Sequence, residues 1–412
     1  MSTRIATANM YDNALRNMGA RQTSLAGLQE NLTAGKRVVR ASDDPVAAAQ
    51  AERALTRITR IQTEQRALEV QRNAMAQAEG SLGDAIGLVQ NIRELTVSAG
   101  NAANTPADRL TIANQIDSLR EQLLGVANRK DTNGVPLFNG LGSALAPFLG
   151  PQTPAPDYSF NGLPGQTAAT SVSVPLTLDG DAAFMFRPQR DGVYHASLSA
   201  IPNTRTFGTE AVQTTNPSLV TGDSYSIVFS AVTPGTTPGT TTATYTLTNT
   251  TTSVVSAPVT LTDFPAAQPV TIAGIPGLSV AIKGTPANGD TISLSPSASI
   301  FSVVGTAVNE IANAGDSNAA AQAVGQALAN IDRGLERLQT VRGNAGELLN
   351  RADRISGNQE TRSVQLAGDR SRAEDLDMIQ GVSDFQNQQV GYEAALKSYA
   401  MVQKLSLFNF IS

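Results

Sequence analysis

Ala41-Ser42-Asp43-Asp44-Pro45-Val46-Ala47 opens the stretch that decides the fold. Asp44 is placed to cap a helix, and Pro45 to fill its first position, where no intrahelical N–H bond is needed. From Pro45 the pattern runs without a clear breaker to Ala99. Ile58, Ile61, Leu68, Met75, Leu82, Ile86 and Val89 recur at heptad-like spacing, with Gln65, Arg72, Glu79 and Arg93 among them. A helix of that length reaches on the order of 80 Å at 1.5 Å per residue. It exceeds the width of a compact domain, so it must lie along other helices.

Working outward, Ile5, Ala8, Tyr11, Leu15, Met18, Leu25, Leu28 and Leu32 recur at mostly three- and four-residue steps. They form a stripe on a helix of roughly 30 residues that Gly35 ends. Lys36 to Arg40 reads as extended. Beyond Ala99, Gly100 to Asn104 turns the chain and Thr105-Pro106 opens a third helix carrying Ile112, Ile116, Leu119, Leu123 and Val126. Asn133-Gly134 is a hairpin signal. The far end repeats the theme: Val324, Leu328, Ile331, Leu335, Leu338, Leu348, Ala352 and Ile355 make a second long stripe. A polar stretch from Gly357 to Arg372 reads as an interruption before a final helix with Leu376, Ile379, Val382, Phe385, Tyr392, Leu396, Tyr399 and Val402.

Between these ends, residues 141–310 are rich in Thr, Ser, Gly and Pro. Short alternating runs at Ser171–Leu178, Tyr225–Phe229, Thr244–Leu247, Val259–Leu261 and Leu278–Ile282 predict an antiparallel β domain with long turns. The fold class expected is α+β, a long antiparallel helical bundle from both ends with the β domain inserted. Its parts are an assembly helix and linker (1–44), two halves of a helical rod domain (45–140 and 311–370), the inserted domain (141–310) and a C-terminal assembly helix (371–412).

Composition narrows the chemistry. The 412 residues contain no cysteine and one histidine, which excludes thiolate nucleophiles, zinc–thiolate sites and paired-histidine metal sites. A net charge of −5 offers no basic surface for nucleic acid, and no run approaches the apolar length of a membrane span. Asp43-Asp44 and Asp375-Asp377 read as acids at helix starts rather than as a catalytic or metal pair. Asp179-Gly180-Asp181 and Asn288-Gly289-Asp290 read as turns, and His195 as structural. No cofactor, metal or enzymatic activity is therefore expected. Polar residues interrupt the N-terminal stripe early, so no cleaved signal peptide is expected either.

Aromatics are only 5% of the chain, so aliphatic stripes must supply much of the burial. Two end helices cannot hide broad stripes from water alone, which predicts that partners cover them. Candidate assembly residues are Ile5, Tyr11, Leu15, Met18, Leu25 and Leu32 on the first helix. On the last they are Leu376, Ile379, Phe385, Tyr392, Leu396, Tyr399, Leu407 and Phe408. Arg72, Glu79 and Arg93 are candidates for register pairs between subunits. A coiled-coil surface adhesin or fibre is the alternative of a different class, though it does not require matched helices at both ends.

Several motifs, in order, resemble the bacterial flagellins and their flagellin-like relatives. They are Ala34-Gly35-Lys36-Arg37-Val38, Asp43-Asp44-Pro45, Gln90-Asn91-Ile92-Arg93-Glu94-Leu95-Thr96-Val97, Glu374-Asp375-Leu376-Asp377 and Leu405-Ser406-Leu407-Phe408. The Asp-Asp-Pro start, Leu137-Phe138-Asn139-Gly140, Gly284 to Thr291 and the Leu-Ser-Leu-Phe ending look more like the junction members than the filament members. The resemblance implies a homo-oligomeric ring, one subunit per protofilament, between the first hook-associated protein and the flagellin filament, with a filament subunit as the alternative. It also implies extracellular placement after type III export, with a cytoplasmic export chaperone on the C-terminal helix. Within the motifs, Asp43, Asp44, Pro45, Arg93, Glu94 and Leu95 are the rod-domain residues it singles out.

Overall fold

The structure is a computed structural model that describes residues 2–153, 157–199 and 207–411; the side chains of residues 2–8, 10 and 402–411 lie outside that description. Among the described residues eight α-helices run in order: α1 (Ser2–Ala34), α2 (Pro45–Ala99), α3 (Pro106–Ala127), α4 (Gly180–Phe184), α5 (Pro188–Asp191), α6 (Ile300–Ala312), α7 (Ser317–Glu374) and α8 (Met378–Ile411). The helix starts follow the residues that could form them. Asp44 Oδ1 accepts from the Val46 and Ala47 amides at 3.1 and 3.0 Å ahead of α2. Thr105 and Asp108 close a reciprocal capping box at α3, and Asp377 Oδ1 accepts from the Ile379 and Gln380 amides at α8. Gly35, at φ +66, takes the left-handed turn that ends α1.

The polar stretch at 357–372 does not break the helix: α7 continues to Glu374. Gln359, Leu366 and Ala373 are buried at heptad-like steps, so one line of the helix stays covered while the rest of the surface turns polar. Charge density, not a loss of period, suggested the interruption.

Two compact units emerge, one from residues 1–66 and 355–412 and the other from 67–354. In the second, Leu82, Ile92, Ile116, Leu123 and Leu338 lie in one core with Phe138, Phe148, Phe184 and Phe301. Phe148, Tyr158, Leu178, Phe184, Val193 and the apolar helix α6 join this helical core, although texture alone grouped them with the strands. Ser171–Leu178 is not a strand. Its Val174 amide donates instead to Gln71 Oε1 at 3.2 Å, and Leu178 is buried among the helices.

Beyond a two-stranded pair of β1 (Phe148–Leu149) and β2 (Ser159–Phe160), the strands form two antiparallel sheets. The larger contains β3 (Tyr194–Leu198), β6 (Tyr225–Pro234), β7 (Thr240–Asn249), β8 (Val254–Val255), β9 (Val259–Pro265) and β12 (Thr291–Pro296), in the order β3-β12-β6-β7-β8 with β9 also on β7. The smaller contains β4 (Gly208–Thr209), β5 (Gln213–Thr214), β10 (Val270–Ile272) and β11 (Leu278–Lys283). Tyr245, Phe229 and Ile292 from one meet Ile272, Val280 and Ile282 from the other in a second core. On β7 the alternation is complete: Ala243, Tyr245 and Leu247 point in, while Thr244, Thr246 and Thr248 are partly exposed. The threonine-rich run is thus the outer face of a hairpin.

Candidate assembly surface

In the unit formed by the two ends, α1 and α8 pair antiparallel. Tyr11 meets Tyr399 edge-on with centroids 5.8 Å apart, Arg21 reaches Gln388 Oε1 at 3.4 Å, and Leu32 lies beside Gly381. A Cβ at Gly381 would sit 2.8 Å from Leu376 and 3.2 Å from Leu32, so the helices approach as closely as that glycine permits. Tyr11, Met18, Leu25 and Leu32 are half-buried on α1, as are Phe385, Tyr392 and Tyr399 on α8 and Leu376 just before it. Tyr11, Met18, Leu25 and Leu32 recur every seven residues, as do Phe385, Tyr392 and Tyr399, the heptad spacing of a coiled-coil seam.

The remaining candidates face away from that seam. Leu15 is 51% exposed, Ile379 86% and Leu396 42%, and Val390 adds another 67%. Ile5, Leu407 and Phe408 fall outside the described side chains. The structure therefore divides the sequence-derived set into residues that the two helices bury in each other and apolar residues left facing water, an arrangement that marks interaction surfaces.

The linker between α1 and α2 is tied to the junction of α7 and α8. The Leu376 amide donates to Gly35 O at 3.1 Å, the Arg37 amide to Glu374 O at 2.8 Å, and Lys36 pairs with Glu374 at 3.2 Å. Asp43 Oδ2 accepts from the Arg40 amide at 2.8 Å and closes the turn before Asp44 and Pro45. The Ala47 amide, together with Arg37, holds the Asp44 carboxyl below its ordinary range. Val38, Ala47, Ala51 and Ala373 bury each other beside this linker.

Arg72, Glu79 and Arg93 find their partners within the chain. They pair with Asp353 at 2.8 Å, Arg342 at 2.7 Å and Asp332 at 2.6 Å, all on α7. Their expected role between subunits is thereby corrected. As α2 ascends α7 descends, and the three pairs fix one antiparallel register. Leu95 packs against the helical core, whereas Glu94 is exposed.

A set that the sequence reading missed lies on another face of α7. Gln326 donates to Glu210 O at 2.8 Å, Asn330 to Tyr194 O at 3.0 Å, Arg333 to Gly192 O and Val212 O at 2.9 and 2.7 Å, and Arg337 to Ala182 O at 2.9 Å. Desolvation holds the Arg333 guanidinium below its usual value. Their three- and four-residue steps place all four on one helical line, but no sequence signal shows that backbone carbonyls await them. His195, read as structural, meets Glu310 Oε1 at 2.6 Å, and buried Asp181 pairs with Arg187 and Arg190 at 2.8 and 3.1 Å.

Residues 5–143 match the family model of the bacterial flagellin N-terminal helical region. The chain's N-terminal helices are thus similar to those of the flagellins. It is similar to flagellar hook-associated protein 3 of Escherichia coli, 34% identical over 149 residues, which cover 35% of this chain and 46% of that one. A flagellin of Clostridium tyrobutyricum is 29% identical over 131 residues, covering 32% of this chain and 35% of its own length. Both sequence matches thus span less than half of the relative. A crystal structure of hook-associated protein 3 from Legionella pneumophila matches more broadly, covering 77% of this chain and 97% of that one with a TM-score of 0.61 at 26% identity. The α+β fold, with paired end helices and an antiparallel β module, is similar to that of this crystal structure. No helix among the described residues is long and apolar enough to cross a membrane.

Proposed function

We propose that this chain is a structural adaptor of the bacterial flagellum, joining the hook side to the flagellin filament. The observation that carries the reading is the α1/α8 pair, which spends one seam on itself and leaves Leu15, Ile379, Val390 and Leu396 exposed. Hook-associated protein relatives at both the sequence and the structural level direct that surface towards flagellar partners. Copies of the chain form a ring, one per protofilament, with the first hook-associated protein on one side and flagellin on the other. Export proceeds by the flagellar type III route, with a cytoplasmic chaperone on the C-terminal helix, and the ring acts outside the cell. The work is done by differences in interface energy between two unlike neighbours and needs no chemistry at a bound group. The 1–44 and 371–412 segments line the central channel of the ring.

Leu396→Asp tests this reading, because a half-exposed side chain can carry a charge without disturbing the α1/α8 seam. Cells carrying that variant in place of the natural chain lose swimming and release unpolymerised flagellin into the medium. Normal filaments would remove the proposed role of this helix.

A further inference from the structure

Where α2 and α7 run together in the end unit, a groove of about 410 Å³ lies between Arg53, Ala54 and Arg57 on α2 and Leu366, Asp369 and Arg372 on α7. Its floor is apolar, with Ala54 and Leu366 buried. Arg372 is paired with Asp369, but neither Arg53 nor Arg57 has an ion pair with any described residue. Two like charges one helical turn apart repel, and a carboxylate placed between them relieves both.

A face of matching chemistry exists on α8. Ile379, Val390 and Met401 are exposed at eleven-residue intervals, a spacing that keeps them on one line of a helix turned away from Phe385, Tyr392 and Tyr399. Glu393 lies one turn beyond Val390, exposed and without an ion pair among the described residues. The charges complement each other along whole segments: residues 45–66 hold four arginines against two glutamates, and residues 375–412 hold four carboxylates against two lysines.

We propose that the Arg53–Arg57 groove receives the outer face of α8 from a second copy of this chain, with Val390 on Ala54 and Leu366 and the Glu393 carboxylate accepting from both guanidinium groups. This rests on the assembly reading above and names the contact between neighbours. The carboxylate supplies the specificity, and the apolar floor supplies the contact area.

The absence of cysteine makes the contact directly testable. Arg57→Cys and Glu393→Cys chains are expressed together in cells lacking the natural chain, and their sheared flagella are oxidised. A mixed disulfide-linked dimer is expected. It should be absent when flagella are dissociated before oxidation, and absent from a control pairing Thr111→Cys with Glu393→Cys. Swimming cells whose flagella contain both chains, yet give no more mixed dimer than the control, overturn the proposed contact and leave the adaptor reading standing. Swimming cells whose flagella contain neither chain overturn both.

Discussion

Asp44 caps α2 with its own carboxylate, so its protonation weakens the start of the helix that decides the fold. Its folded-state value lies below the ordinary 3.8, chiefly through the Ala47 amide, so the sign is that of a depressed acid. The stabilisation is complete above pH 3.8 and is lost as the pH falls through the lower folded-state value. Asp44→Ala should therefore lower the melting temperature at neutral pH and flatten the acid limb of the stability curve, as thermal melts across that range would show. Asp44→Asn should keep most of the neutral-pH stability, because the amide oxygen still accepts the two amides. An Asp44→Ala chain that melts like the parent at neutral pH would remove the capping argument. This residue was legible in the sequence because the signal is local: an acceptor, a proline and a following helix within four positions.

At the scale of elements, legibility depended on whether partners are near in sequence. The end of α1, both bounds of α2 and the start of α3 followed from caps, breakers and periodicity, all of which act within a turn or two. Helix α6 was hidden inside a segment that reads as β by texture, because its burial is decided by α3 and the phenylalanines of a distant stretch. The polar line on α7 was equally hidden, since Gln326, Asn330, Arg333 and Arg337 bond to carbonyls more than a hundred residues away. Asn330→Ala tests that line. It strands the buried Tyr194 carbonyl and should destabilise the second unit by about 1–3 kcal/mol in denaturant titrations. Unchanged stability would mean that the contact is incidental to how the β module is held.

For the whole molecule, the motifs at the two ends gave the flagellin resemblance and the periodicities gave the α+β class, while the charged residues between them misled. Arg72, Glu79 and Arg93 sit where a coiled coil would place charges for a neighbouring chain, yet α7 returns past them and satisfies all three. Sequence periodicity shows that a stripe needs covering and does not show whether the cover comes from the same chain. The structure resolves that question in part: the α1/α8 seam is covered internally, and Ile379, Val390 and Leu396 are not. What the uncovered residues meet decides between a filament subunit, which must bind its own kind without end, and an adaptor, whose two faces differ. Seeded polymerisation separates the two most directly. Purified chain is added to short flagellin filament seeds and their length is followed by electron microscopy. The adaptor account predicts that the seeds do not elongate at any chain concentration, and long filaments growing from them would contradict it.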